Sequence, residues 1–128
     1  MTGLIEVLRE KKTAMEAFVI DLADGTEYQS LLKPPKTHGI HSGRVYLKPG
    51  ADCGEHSTGD REEMLVFLSG RGQAVIGDNR TLEVGQGKIL YIPPQTIHNI
   101  KNTSDKPLSY IFCVVPVISD GESKNVRH

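Results

Sequence analysis

The chain has 128 residues and a hydrophobic content of 38%, which is enough to bury the core of one domain. Fifteen basic and sixteen acidic residues give a formal net charge of -1, and no cluster of Lys or Arg predicts a nucleic-acid partner. No apolar run approaches the length that spans a membrane. Two cysteines, Cys53 and Cys113, are too few for a disulfide framework, so we expect a cytoplasmic protein with free thiols.

Residues 1–42 are predicted to form an extension that precedes the main domain. Apolar residues near its start, such as Leu4, Ile5 and Leu8, suit either a short amphipathic helix or a mobile arm. The apolar run 18–22 ends at Asp24-Gly25 and predicts a strand. Pro34-Pro35 then interrupts any regular structure.

From Gly43 onward, short apolar runs alternate with turn residues. The predicted strands cover residues 45–47, 64–68, 73–76, 81–84, 88–92, 97–100 and 108–117, with Gly77-Asp78-Asn79 as a hairpin turn. Such regular spacing is typical of a β-sandwich or barrel. Strands do not alternate with helices along the sequence, which argues against a parallel sheet. We therefore predict an all-β barrel over residues 43–117, followed by a polar tail over residues 118–128.

Two segments inside this barrel carry a specific pattern. In the first, Gly50 is followed after five residues by His56, Ser57 and Thr58, then by Glu63 and Gly70. In the second, Gly87 is followed after five residues by Pro93, Pro94 and Gln95, then by His98 and Asn102. The pair resembles the two motifs of the cupin superfamily. Thr58 departs from it, where the first motif usually has a second His, and so does Gln95, where the second usually has Gly.

The resemblance implies a double-stranded β-helix, also called a jelly-roll barrel, which is commonly dimeric. It further implies that His56, Glu63 and His98 bind one divalent metal ion in the barrel mouth. Thr58 is not expected to be an equal ligand, because a neutral hydroxyl is a poor donor compared with imidazole. If Glu63 faces the apolar interior, a metal would remove the cost of burying its carboxylate.

Two histidines and one carboxylate form the ligand set of non-haem Fe(II) oxygenases, and the same set suits zinc with a bound water. Composition does not distinguish Fe, Zn, Mn and Ni. The alternative is that the loss of one histidine leaves a site that binds no metal.

The candidates for the substrate pocket are less specific. They comprise Thr58, Gln95, Phe67, which shares a strand face with Glu63, and Arg44 and Tyr46, if their set of alternating residues faces the cavity. If Val45 and Leu47 face the cavity instead, Arg44 and Tyr46 face solvent. Cys53 either approaches the mouth or is simply buried, and His38 and His41 either line the entrance or are ordinary loop residues.

Three functions remain open at this point. The first is a metal-dependent enzyme of dioxygenase, isomerase or lyase type that acts on a small molecule. The second is a module that senses or stores a small ligand, and the third is a metal-free domain that binds a sugar-like molecule through side chains alone. We expect a homodimer, with no nucleic-acid or membrane partner.

Overall fold

The computed structural model describes residues 15–117, which form nine strands and no helix. Within that range there is therefore no helix that could cross a membrane. The strands are β1 (Gln29–Leu32), β2 (His41–Leu47), β3 (His56–Ser57), β4 (Arg61–Ser69), β5 (Arg71–Ile76), β6 (Arg80–Gly85), β7 (Ile89–Ile92), β8 (Ile97–Lys101) and β9 (Leu108–Pro116). All pairs are antiparallel, which confirms the predicted all-β jelly-roll fold.

The strands form two sheets that enclose one core. One sheet has the order β1-β2-β9-β4-β7 and the other has the order β3-β8-β5-β6. Side chains alternate between the two faces of each strand, so every second residue points into the barrel. The core is made of these inward residues, including Leu47, Leu65, Phe67, Ala74, Ile92, Ile100, Leu108 and Tyr110.

Glycine turns separate several of the strands, and at Gly70 the chain also passes close to another segment. Gly70 separates β4 from β5 with a φ of 82°, a left-handed conformation that glycine adopts without a steric penalty. A Cβ atom at this position would collide with the backbone carbonyl oxygen of Pro107. The first motif therefore ends on a glycine because the chain crosses itself closely there.

The strand predicted over residues 18–22 is wrong. Among residues 15–117 that segment pairs with no strand, and Phe18, Val19 and Leu22 are exposed. The backbone just after it bonds to a side chain instead, because Ala23 N donates to Gln29 Oε1 at 2.8 Å. The strand before residue 40 is β1, which pairs with β2. The predicted helix or arm over residues 1–16 lies almost wholly outside the described residues, as does the predicted tail.

The closed end of the barrel is fastened by the asparagine of the second motif. Asn102 is 1% exposed, and its amide nitrogen donates to the carbonyl oxygens of Leu47 and Lys106 at 3.0 and 2.7 Å. Its amide oxygen accepts from the backbone N–H and the hydroxyl of Ser104. Every hydrogen-bonding position of this buried amide is therefore used.

Candidate metal centre

Three of the motif residues meet at the open end of the barrel. His56 on β3 lies directly opposite His98 on β8, and their ring centroids are 4.2 Å apart. Glu63 reaches them from β4 in the other sheet, and its Oε1 lies 3.2 Å from Nε2 of His98. One nitrogen from each imidazole and one carboxylate oxygen all lie within 4.8 Å of one another. The predicted ligands thus form one cluster that joins the two sheets.

Backbone carbonyl groups orient both imidazole rings. Nδ1 of His56 lies 2.9 Å from the carbonyl oxygen of Gly54, and Nδ1 of His98 lies 3.0 Å from that of Thr96. Since a carbonyl oxygen only accepts, each Nδ1 must carry the proton. Each Nε2 then keeps its lone pair for a metal, and this arrangement is the usual support of a metal-binding histidine.

The contact between His98 and Glu63 requires a proton or a metal ion between the two side chains. Both residues are buried, and a neutral His98 protonated at Nδ1 would point a lone pair at the carboxylate. Burial lowers the pKa of His98, but the hydrogen bonds to Glu63 and Thr96 and the charge of Glu63 raise it, and the net shift is upward. Either a proton or a metal ion between Nε2 and the carboxylate oxygen removes this repulsion, so the donor set fits a metal.

A cavity of about 260 Å³ opens beside these three side chains. Its apolar and aromatic lining comprises Val45, Leu65, Ile100, Tyr110, Phe112 and Val114. Its polar lining comprises Cys53, His56, Ser57, Thr58, Arg61, Glu63 and His98. Burial, together with the nearby Cys53 and Glu63, raises the pKa of the Tyr110 hydroxyl well above its usual range, so this group stays protonated. The cavity can therefore hold a small molecule with a polar end at the histidines.

Thr58 lines this cavity, but its hydroxyl is occupied. The hydroxyl donates to the carbonyl oxygen of Pro93 at 2.7 Å and accepts from the backbone N–H of Thr96 at 3.0 Å. Thr58 N also donates to the carbonyl oxygen of Thr96. The residue in the place of the usual second histidine therefore joins the first motif to the loop that carries the second.

The other predicted pocket residues do not line the cavity. Arg44 faces away from it, because Val45 takes the inward position; its guanidinium donates to the carbonyl oxygens of Ala23 and Gly25. Tyr46 shares that outward face. Phe67 is 2% exposed and fills the core deeper in the barrel.

Gln95 lies outside the cavity wall, where its amide donates to Asp60 at 2.8 Å. Its φ of 55° is left-handed, which explains why glycine is usual at this place in the motif.

Sequence reasoning gave no role to Arg61 and left Cys53 open, although both line the cavity. Arg61 stands two residues before Glu63 on the same strand and therefore on the same face, so strand alternation could have found it. Cys53 is half-buried, and the backbone N–H of Ile100 donates to its sulfur at 3.3 Å. That contact crosses 47 residues of sequence and leaves no local signal.

Comparisons with known proteins agree with this architecture. The family model of the cupin domain matches residues 43–115. An uncharacterized protein of Methanocaldococcus jannaschii is 31% identical over 103 residues, which are 79% of this chain and 82% of that protein. A glucose-6-phosphate isomerase of Thermococcus litoralis is 37% identical over 60 residues, which are 44% of this chain but 32% of the isomerase.

Solved structures show the same fold. A cupin protein of Bacteroides fragilis superposes with a TM-score of 0.69 at 26% identity, covering 80% of this chain and 86% of the other. A family model that matches more than half of the chain, a relative that shares most of its length and a common fold all lead to one assignment. The chain belongs to the cupin superfamily.

Proposed function

We propose that this protein binds one divalent metal ion through His56, Glu63 and His98 and uses it to act on a small molecule in the adjoining cavity. The observation that carries the proposal is that both Nδ1 atoms are engaged by carbonyl groups while a buried carboxylate faces Nε2 of His98. When bound, the ion would supply a Lewis acid with coordination positions left for water or substrate.

The chain's own residues define the rest of the site. The apolar wall excludes water from the body of a ligand, and the protonated Tyr110 hydroxyl can donate a hydrogen bond but cannot act as a base. Dioxygenase, isomerase and lyase chemistry all suit this ligand set. The partial likeness to a glucose-6-phosphate isomerase favours the isomerase type, although the chain spans about a third of that enzyme's length.

The test compares two of the proposed ligands, Glu63 and His98, with the adjacent acid Glu62. Metal affinity, measured by calorimetry with Fe(II), Zn(II), Mn(II) and Ni(II), should fall by more than about 100-fold in Glu63→Gln and His98→Ala, since each removes one of three ligands. Glu62→Gln is the matched control, because the Glu62 carboxylate accepts from the Tyr91 hydroxyl outside the cavity. Equal losses in Glu62→Gln and Glu63→Gln would refute the ligand assignment.

A second candidate is a non-catalytic module that binds a sugar-like ligand without metal. The observation that favours it concerns Thr58, which stands where the motif usually has a second histidine. Its hydroxyl is engaged in hydrogen bonds to the backbone and is not available to a metal. Absence of bound metal after purification and after loading at neutral pH would favour this alternative. Oxygen consumption or substrate turnover that needs the metal would exclude it.

We also propose that the protein is a homodimer. The outward face of β4 and β7 presents exposed apolar side chains, namely Met64, Leu68, Ile89 and Tyr91, and a soluble monomer seldom leaves such a patch uncovered. Light scattering should give twice the chain mass for the parent protein and the single chain mass for Ile89→Lys. Ile97→Lys, which alters an exposed isoleucine on the other sheet, should remain dimeric. A monomeric parent at micromolar concentration would contradict this.

A further inference from the structure

Two more basic side chains, His41 and Arg61, lie near the ligand cluster in the five-stranded sheet, in the rows of paired residues at the end that carries Glu63. In one row, His41 on β2 pairs with Val114 on β9, which pairs with Glu63 on β4. Directly paired residues point to the same face of a sheet, so His41 faces the same side as the Glu63 carboxylate. In the next row whose side chains face the same side, Arg61 on β4 pairs with Pro116 on β9. Arg61 and His41 therefore flank Val114 on the inner face.

These side chains line a second hollow of about 230 Å³. His38, His41 and Arg61 form its polar wall, and Pro34, Val114 and Pro116 form its apolar wall. Arg61 and Val114 belong to the linings of both hollows, so the second one adjoins the cavity of the candidate metal centre. Three potential hydrogen-bond donors thus gather beside the barrel mouth, and none of the described residues that line this hollow is an acid.

The neighbours of Arg61 in the described part of the chain do not neutralise its charge. Within residues 15–117, its guanidinium forms no ion pair and no hydrogen bond. The acids next to it in sequence are engaged elsewhere, since Asp60 accepts from the Gln95 amide and Glu62 accepts from the Tyr91 hydroxyl. An exposed guanidinium with its full fork of donors available is suited to a carboxylate or a phosphate.

We propose that the hollow around Arg61, His38 and His41 is the subsite for an anionic group of the substrate. This inference rests on the proposed function, because it assigns the metal centre to the reacting end of the same molecule. Arg61 and Glu63 lie two residues apart on one strand, about 7 Å, and His41 lies two strands from Glu63, about 10 Å. The substrate class is therefore a short molecule that carries a carboxylate or a phosphate at one end and a metal-binding polar group at the other.

The experiment measures binding of inorganic phosphate and, separately, of succinate to the full chain by calorimetry, first without metal and then with it. Arg61→Gln should weaken binding of the preferred anion by about tenfold or more, as expected for the loss of a charge-assisted bidentate contact. Arg80→Gln, which removes the exposed arginine at the start of β6, is the matched control and should bind like the parent. His41→Gln should weaken binding less than Arg61→Gln.

The outcomes separate this inference from the proposed function. Anion binding that depends on Arg61 in a protein that binds no metal supports the subsite and refutes the metal proposal. Normal metal affinity together with equal anion affinity in the parent, Arg61→Gln and Arg80→Gln overturns the subsite and leaves the metal proposal standing. No binding of either anion to the parent at millimolar concentration also overturns it. A preference for phosphate or for succinate identifies which anionic group the subsite takes.

Discussion

At the closed end of the barrel the buried polar side chain is fully hydrogen-bonded, whereas at the open end the buried polar side chains depend on one another. Asn102 uses all of its donors and acceptors on nearby groups. Glu63 and His98 are also buried, yet they face each other across 3.2 Å and need a proton or a metal between them. The comparison indicates that the buried polar group at the closed end stabilises the fold, whereas those at the open end lower its stability and form the candidate metal centre.

The largest effect is expected toward the closed end, from Phe67→Ala. The Phe67 ring is buried, with its centroid 5.2 Å from that of Tyr110, so its removal leaves a cavity in the core. The free energy of unfolding should fall by about 3–5 kcal/mol in urea titrations. Metal affinity of the folded variant should change little, since Phe67 lies outside the cavity wall. If Phe67→Ala lost much metal affinity but little stability, the closed end would not be the part of the barrel that mainly supplies stability.

The next effect comes from Thr58→Val, which keeps the side-chain shape and removes the hydroxyl. Two hydrogen bonds are lost, and the carbonyl oxygen of Pro93 loses its donor, so the free energy of unfolding should fall by about 1–3 kcal/mol. Thr58→Ser keeps the hydroxyl and should recover most of the stability. Metal affinity should fall far less than in His98→Ala. If it falls equally, Thr58 acts as a ligand.

Rising pH should lower the stability of the metal-free protein but increase the stabilisation that a bound metal provides. The pKa of His98 is raised above 6.5 in the folded protein. Its pairing with Glu63 therefore stabilises the metal-free protein fully below pH 6.5. This stabilisation is lost as the pH rises through the folded-state pKa. Metal must displace that proton, so apparent affinity should fall by about tenfold per pH unit below the folded-state pKa. Melting curves from pH 5.5 to 8.5 check both trends. A metal-induced stabilisation that does not grow with pH would contradict them.

The smallest effect is expected from Gln95→Gly. Glycine relieves the left-handed backbone at φ 55° but loses the hydrogen bond to Asp60, so the net change should stay within about 1 kcal/mol. Gln95→Ala loses the same bond without relief and should be the less stable variant. Thermal melts that rank alanine above glycine would show that the backbone conformation is not the reason for the usual glycine.

The sequence predicted the barrel strands well because turn residues punctuate them, and the fold is confirmed. It could not place Arg44 and Tyr46, since alternation defines two faces but does not say which one is inside. It gave a strand over residues 18–22 because the run is apolar, although apolar character alone does not show whether the backbone pairs with a neighbouring strand. It missed β3, whose two residues are too short to form a pattern. The ligand cluster stays a prediction that the geometry supports.

The glycines of the two motifs differ in what they tolerate, although a pattern writes them with the same letter. At Gly70 any side chain meets the Pro107 carbonyl, so we expect every substitution there to be rejected. At Gly87, φ is 82° but no other group lies within 4 Å of the position that a Cβ would take, so asparagine or aspartate should be accepted at a modest cost. A search for distant homologues should therefore weight position 70 heavily and position 87 lightly.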